Sequence, residues 1–345
     1  FNVINIIISM TGKCIPQRIE SPCRLPSIGT LSSQIVAKSL LNVMDKIRKP
    51  LRILVAGSTG YLGRYVVRAL HARGHMVRAL VRDPERLGAS RDAVDEVFVG
   101  QATDDATLEG VADGIDAVIS CLGNRTFKRR PTVWEVDRDA NLNLVRRAQR
   151  ATVSRFVFIS VLGGQEARSR VPQIEAREQV VEALRQGDMP WTIIRPSGFF
   201  NDMIEFLDMA KKGTVWLIGK GESGFNPIHG ADLAEYIVDR LEEEGAAGEE
   251  FPVGGPETLN QIELAELAFS ALGKEPRIRT TPSWLVPMAA RIILPFNVNL
   301  GSFLAMLGEL SSKADATAPS TGVHRLGDFF QEHLATGGTG LQVKR

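Results

Sequence analysis

The amino-acid sequence predicts an α/β fold: a doubly wound parallel sheet with a smaller C-terminal lobe that binds substrate. Three observations predict it. The apolar run Leu51 to Ala56 passes through a glycine-rich turn, residues 57–63, straight into the helical pattern Tyr65 to Leu70. Strand-length apolar runs and helical periods then alternate as far as Arg195, the order that parallel strands joined by crossover helices require. Beyond Gly198 helices dominate, separated by short glycine-rich strands.

Taken in order, Leu51 to Ala56 reads as a fully buried strand, and the turn after it as Gly57, Ser58, Thr59, Gly60, Tyr61, Leu62 and Gly63. Glycines three apart let the chain turn sharply, let the backbone approach a pyrophosphate and let the helix pack tightly on its strand. The helix start adds unpaired N–H groups and partial positive charge. A second apolar run, His75 to Val81, follows one helix length later, after Gly74, and completes a right-handed βαβ unit. This is the pattern of a Rossmann fold, and it assigns all seven turn residues to a dinucleotide cofactor. At the end of the second strand, where an NAD site carries an acid for the ribose 2′-hydroxyl, Arg82 follows Val81, with Arg78 and Arg86 nearby. The expected cofactor is therefore NADP(H). The competing reading makes Arg82 a solvated loop cation and gives the ribose to Asp83.

The alternation continues with a short strand at Glu96 to Val99, a short helix at Thr107 to Val111 and a fourth strand at Ala117 to Cys121. Val133 to Ala151 reads as one long helix with Ala140, Leu144, Val145 and Ala148 on its apolar face, followed by strands at Arg155 to Ser160 and Trp191 to Arg195. Six or seven parallel strands follow. Ligands of such sheets lie beyond the carboxyl ends of the strands, so residues 57–63, 121–124, 160–164 and 196–199 are expected around one crevice. Cys121, Leu122, Gly123, Ser160, Pro196, Ser197, Gly198 and Phe199 are the cofactor contacts this predicts. The later lobe reads as helices at Phe200 to Lys212, Ala231 to Glu244 and Gln261 to Leu272, folding back as the wall that recognises substrate.

A chain of 345 residues suits one large α/β domain with an appended lobe. The expected organisation is a disordered leader over 1–49, a cofactor domain over 50–198, a mostly helical substrate lobe over 199–334 with some return to the sheet, and a flexible tail over 335–345. With 41 basic and 40 acidic residues no global field draws the chain to nucleic acid. Cys14, Cys23 and Cys121 are odd in number and lack metal-type spacing, so neither a disulfide framework nor a metal site is expected. No stretch reaches the ~18 apolar residues of a spanning helix, which predicts a soluble chain. Trp284 to Leu310 comes nearest, split by Arg291, Pro295 and Asn297 to Asn299 into two amphipathic pieces; they pack on the substrate region or touch a membrane surface. From Met10 to Lys49 hydroxyl and basic residues are many and the only acids are Glu20 and Asp45, a composition resembling a transit peptide and pointing to the plastid stroma. The alternative is an upstream extension of a protein that starts at Met44.

The glycine loop, the strand end Val118-Ile119-Ser120-Cys121-Leu122-Gly123 and the run Arg195-Pro196-Ser197-Gly198-Phe199-Phe200 together resemble the extended, atypical branch of the short-chain dehydrogenase/reductase superfamily. Within it the chain is similar to NmrA-like proteins and to divinyl chlorophyllide 8-vinyl reductases, through Pro227-Ile228, Asp232-Leu233-Ala234, Gly254-Gly255-Pro256, Leu272-Gly273-Lys274-Glu275-Pro276 and Asp328-Phe329-Phe330. The superfamily's usual catalysis needs a Tyr four residues before a Lys, which lowers the phenol's pKa. Here no lysine lies between Lys128 and Lys211, and the matching helix reads Gln173-Ile174-Glu175-Ala176-Arg177. Arg177 stands where the vinyl reductases carry Lys. A permanently charged fork is a poor acid but serves as a clamp on a nicotinamide ribose or a substrate carboxylate. Ser160 either bonds substrate or cofactor or satisfies loop backbone, and His229 either transfers a proton or has a structural place at a helix start. Phe199 and Phe200 are expected to split between wall and core.

The resemblance implies one of two functions. The first is an NADPH-dependent oxidoreductase of chlorophyll biosynthesis, reducing a conjugated C=C bond on a large apolar small-molecule substrate, with Phe199, Phe200, Met203, Phe206 and Trp216 as an apolar wall. The second is a non-catalytic NADP-binding redox sensor or assembly factor of the NmrA-like type.

Overall fold

Eleven β-segments occur among the residues that the computed structural model describes, 50–312 and 315–337. They are β1 (Arg52–Ala56), β2 (Met76–Val81), β3 (Glu96–Val99), β4 (Ala117–Ser120), β5 (Arg155–Ile159), β6 (Trp191–Pro196), β7 (Val215–Ile218), β8 (Gly224–Phe225), β9 (Glu249–Val253), β10 (Ile278–Thr281) and β11 (Asp315–Ala316). Seven of them form one sheet in the order β3-β2-β1-β4-β5-β6-β9, all pairs parallel. The doubly wound sheet is thus as the sequence predicts, and its order reverses between β1 and β4, the switch point at which such sheets bind ligands. β9 comes from the late part of the chain and returns to the sheet beside β6, in register Ile194↔Phe251.

The helices are α1 (Tyr61–Ala72), α2 (Asn141–Arg150), α3 (Gly164–Ala167), α4 (Pro172–Gln186), α5 (Phe200–Lys211), α6 (Gly230–Glu242), α7 (Gln261–Ala271), α8 (Leu285–Ile293), α9 (Val298–Ser312) and α10 (Leu326–Ala335). Alternation along β1 divides them between two faces. Ile53 and Val55 join a core with Val66, Val67 and Leu70 of α1 and Leu233, Ile237 and Val238 of α6. Leu54 and Ala56 point the other way, to Leu144, Val145 and Ala148 of α2 and Val180, Val181 and Leu184 of α4. Each such fully buried Leu or Val stabilises the fold by about 1.5–3 kcal/mol over exposure. A third core, around Phe200, Leu207, Phe269 and Phe330, holds α5, α7, α10 and β7 together.

Two local differences from the sequence expectation have physical causes. The helix expected over Val133 to Ala151 opens as a π-helical segment, Trp134–Ala140, before α2 begins. Asn141 Nδ2 donates to the carbonyls of both Val136 and Asp137, at 3.2 and 3.0 Å, which fits the wider turn. The short helix expected at Thr107 is a 3₁₀ turn, Asp105–Leu108, set by Asp104 accepting the Ala106 N–H at 3.2 Å. The expected leader, residues 1–49, lies outside the described residues, as does the tail from Gly338.

Candidate functional site

The loop after β1 is shaped by two close approaches. Gly57 has φ +79°, and a Cβ there would stand 2.9 Å from the Cys121 carbonyl carbon at the end of β4. A Cβ on Gly63 would stand 2.1 Å from the Gly57 oxygen, so no side chain fits between loop and helix. Ser58, fully buried, donates to the Leu80 carbonyl at 3.3 Å and ties the loop to β2. No side chain caps the N-terminus of α1 at Gly60, and no acid sits in its first turn. Thr59, Gly60, Tyr61 and Leu62 therefore form a helix start whose partial positive charge has no partner from a capping side chain.

Beyond β2 the exposed Arg82 comes first. Arg64 reaches across from α1, Nε to the Thr59 carbonyl at 3.1 Å and Nη2 to the Arg86 carbonyl at 3.0 Å. Burial, then the like charges of Arg86 and Arg68, hold the Arg64 guanidinium below its ordinary value. Arg64, Arg68 and Arg86 thus gather at this end, with Arg82 at the head of the same loop. Arg78 is not among them: it is buried, donates to the Val111 and Asp113 carbonyls at 2.9 and 3.0 Å, and pairs with Glu96. Asp83 accepts the Glu85 N–H at 3.1 Å as the cap of the 3₁₀ turn Pro84–Ala93, which engages the carboxylate proposed for an NAD ribose.

The ends of β4 and β5 are joined by Arg177 of α4. Its Nη1 donates to the Leu122 carbonyl at 3.2 Å and to Asp137 Oδ1 at 2.5 Å, and its Nη2 donates to the Ile159 carbonyl. Gly123 lies against the same group, 3.1 Å from ideal Cβ to Nη1. The fork that the sequence offers to a ribose or carboxylate therefore already has protein partners at both tines. Asp137 is fully buried and also accepts the Asn124 N–H at 3.1 Å and Gln173 Nε2 at 3.2 Å. Burial pushes its carboxyl up from the usual aspartate range, while Arg177 and these donors hold it back. Burial likewise pushes the Cys121 thiol up to about 12, against Arg177, which keeps it protonated at pH 7.

Ser160 is buried inside an ionic cluster. Its hydroxyl donates to Glu178 Oε1 at 3.1 Å and accepts from Arg195 Nη1 at 3.3 Å. Arg195 forks onto Glu178 at 2.6 and 3.0 Å and reaches Glu250 of β9 through Nε at 2.6 Å. Pro196 accepts the Leu162 N–H at 3.1 Å, Ser197 donates to the Asn226 carbonyl, and Phe199 bridges to Ile228 beyond Gly198. The four predicted segments are thereby brought together at one end of the sheet.

His229 caps α6. Its Nδ1 accepts the Ala231 N–H at 3.3 Å, its Nε2 lies 3.5 Å from the Tyr65 hydroxyl, and its ring stacks on His324 at 4.2 Å. Burial, then the His324 charge, push its pKa down to about 4, so the ring is neutral at pH 7 and sits as a structural cap. Phe200 is buried against His229 and Phe329, and the half-buried Phe199 lies edge-on to Tyr61 at 6.4 Å. Asp137 and Glu178 were not singled out by sequence motifs. A signal exists for both: each stands at helical spacing between two buried apolar residues, Asp137 between Val133 and Ala140 and Glu178 between Ile174 and Val181, where an unpaired charge is untenable.

A family model described as NAD(P)H-binding matches residues 57–244, more than half of the chain. The chain is 29% identical over 327 residues, 84% of its length and 80% of the relative's, to a divinyl chlorophyllide a 8-vinyl-reductase, chloroplastic, of Oryza sativa subsp. indica. It is 29% identical over 234 residues, 67% of its length and 71% of the relative's, to the photosystem II assembly factor Ycf39 of a Synechocystis strain. Among solved structures an NADPH-dependent quinone oxidoreductase of Escherichia coli, complexed with NADPH, superposes with TM-score 0.65 at 18% identity, covering 82% of this chain and 99% of that one.

Proposed function

The chain belongs to the NAD(P)H-binding family, and on that premise we propose that it is an NADPH-dependent reductase acting on a conjugated carbon–carbon double bond of a large apolar substrate, as the name of the rice relative implies for that protein. The plastid is the proposed compartment, since the same relative is chloroplastic. The tight turn that Gly57 and Gly63 allow leads into the uncapped N-terminus of α1, which suits a pyrophosphate, and the exposed Arg82 near Arg64 and Arg86 suits a 2′-phosphate. The remaining proposed contacts are Cys121, Leu122 and Gly123, with Arg177 behind them, and residues 196–199 with Ser160 beneath. Bound NADPH supplies hydride.

One observation carries the choice of reaction: none of the three tyrosines stands four residues before a lysine, and burial holds Tyr61 and Tyr65, the two near the glycine loop, above the ordinary phenol value. Tyr61 also accepts the Gly230 N–H, which lowers its pKa less than burial raises it. Reduction of a vinyl group conjugated with a macrocycle leaves the developing charge delocalised, so no strong acid need stand beside an oxyanion, and the proton that completes the ethyl group comes from solvent after hydride transfer. The protein's own part is to orient the two reactants, to keep water out while hydride moves and to present an apolar wall at Phe199, Met203 and Phe206.

A second reading, an NADP-binding assembly factor without turnover, is favoured by a separate observation. Ser160, Arg177 and His229 all have their polar atoms engaged by protein groups. The test is purified protein with NADPH and divinyl chlorophyllide: loss of nicotinamide absorbance supports the reductase. Unchanged absorbance alongside nucleotide fluorescence that still reports binding supports the assembly factor.

A further inference from the structure

Of the eleven large hydrophobic side chains that stand exposed among the described residues, five lie within residues 284–296: Trp284 (63%), Leu285 (38%), Met288 (46%), Ile292 (60%) and Phe296 (70%). At about 100° per residue, Trp284, Met288, Ile292 and Leu285 share one arc of roughly 100° on α8. The opposite side is set into the protein through Ala290, 2% exposed. Asn297 Nδ2 donates to the Phe127 carbonyl at 2.8 Å, which brings Phe127, 44% exposed and 5.0 Å from the Phe303 ring, beside the Phe296 corner.

The rim of this stripe is basic. Residues 276–308 contain Arg277, Arg279 and Arg291 and no Asp or Glu, and residues 117–134 contain Arg125, Lys128, Arg129 and Arg130 and no Asp or Glu. Arg125 pairs with Asp202 and Arg130 with Glu135. Lys128, Arg129, Arg277, Arg279 and Arg291 are all exposed. In a chain with 41 basic and 40 acidic residues this is a local surplus.

We propose that α8 and the 127–130 loop dock on an anionic lipid bilayer, with α8 lying in the plane of the surface, its apolar stripe among the acyl chains and its cations at the headgroups. α8 has nine residues, and no described helix is long and apolar enough to cross a membrane, so the contact is with one leaflet. Charge decides among occupants. A second copy docked face to face would set Arg291, Lys128 and Arg129 against the same cations. Anionic lipid satisfies stripe and rim together.

The test is sedimentation of the full chain with vesicles of phosphatidylcholine alone or mixed with phosphatidylglycerol, at low and high salt. The expected result is at least tenfold stronger partition onto the mixed vesicles, weakened by salt. Ile292→Asp with Phe296→Asp abolishes it, and Lys128→Gln with Arg129→Gln lowers it about fivefold for each charge removed. All four positions are exposed, and unchanged NADPH affinity confirms that the variants fold. Absence of partition, equal partition onto both vesicles, or a dimer in light scattering that Ile292→Asp with Phe296→Asp dissolves would each overturn the proposal.

Discussion

The Tyr61 hydroxyl oxygen accepts the backbone N–H of Gly230 at 3.1 Å, fastening the first turn of α1 to the first turn of α6. A Cβ on Gly230 would stand 2.6 Å from the Tyr65 ring, so the backbone can come this close only at glycine. The cofactor loop and α6, which packs beside α1 on the same face of the sheet, are thereby locked at one point, and Tyr61 is committed to that lock.

Tyr61→Phe leaves the Gly230 N–H buried without its acceptor, at a cost of about 1–3 kcal/mol in stability. Turnover per folded molecule stays near that of the parent chain. Urea melts read the first effect and initial rates the second; a hundredfold loss of rate at unchanged stability would place the phenol in the chemistry after all.

Arg82→Asp weakens NADPH by ~2 kcal/mol or more, the usual worth of charge-assisted bonds to a phosphate, and leaves NADH nearly unchanged. Fluorescence titration with both nucleotides checks it. Equal affinities before the substitution count against the 2′-phosphate assignment.

His229 supplies a pH dependence whose sign is fixed. Its pKa is pushed from the ordinary histidine value of 6.5 down to about 4, so between these values the unfolded chain binds the extra proton. Stability from this group is complete above about pH 6.5 and is lost as pH falls toward 4, on the order of 3 kcal/mol in all. His324 and Asp232 face the ring, so the group must be isolated by substitution. His229→Asn keeps a helix-capping side chain and removes the titration. Denaturation at pH 7 and pH 5 is expected to show a shallower loss in the variant, and identical slopes would exclude this assignment.

Arg177→Met strands the buried Asp137 carboxylate and costs about 3–5 kcal/mol, while Arg177→Met with Asp137→Leu recovers most of it. A double-mutant cycle by chemical denaturation measures the coupling. Additive losses would show that the pair does not act as a unit.

The strands, the glycine loop and the late helices were legible because their signals are local: period and turn chemistry. What lay hidden was partnership. Arg78 and Arg86 look alike beside Arg82 in the sequence, yet Arg78 turns into the sheet toward carbonyls after Gly110, and only the fold reveals that. Arg177 read as an open fork because Asp137, its partner, is brought to it by a π-helical turn that no apolar period encodes. Ser160 sat at the expected strand end, but the Glu178 and Arg195 side chains that engage it come from other elements.

Among the described residues β9 pairs only with β6, and Arg195 clasps Glu250 across that seam. On a ribosome the chain emerges in order, so β6 leaves the exit tunnel with one row of amides and carbonyls bare and keeps it bare until Glu249 to Val253 has been made. A nascent chain stalled within that interval displays an open strand edge, the kind of surface that recruits holdase chaperones or seeds aggregation. Synthesis through Val253, rather than completion of the glycine loop, is what covers β6 and passes the edge of the sheet to the short strand β9.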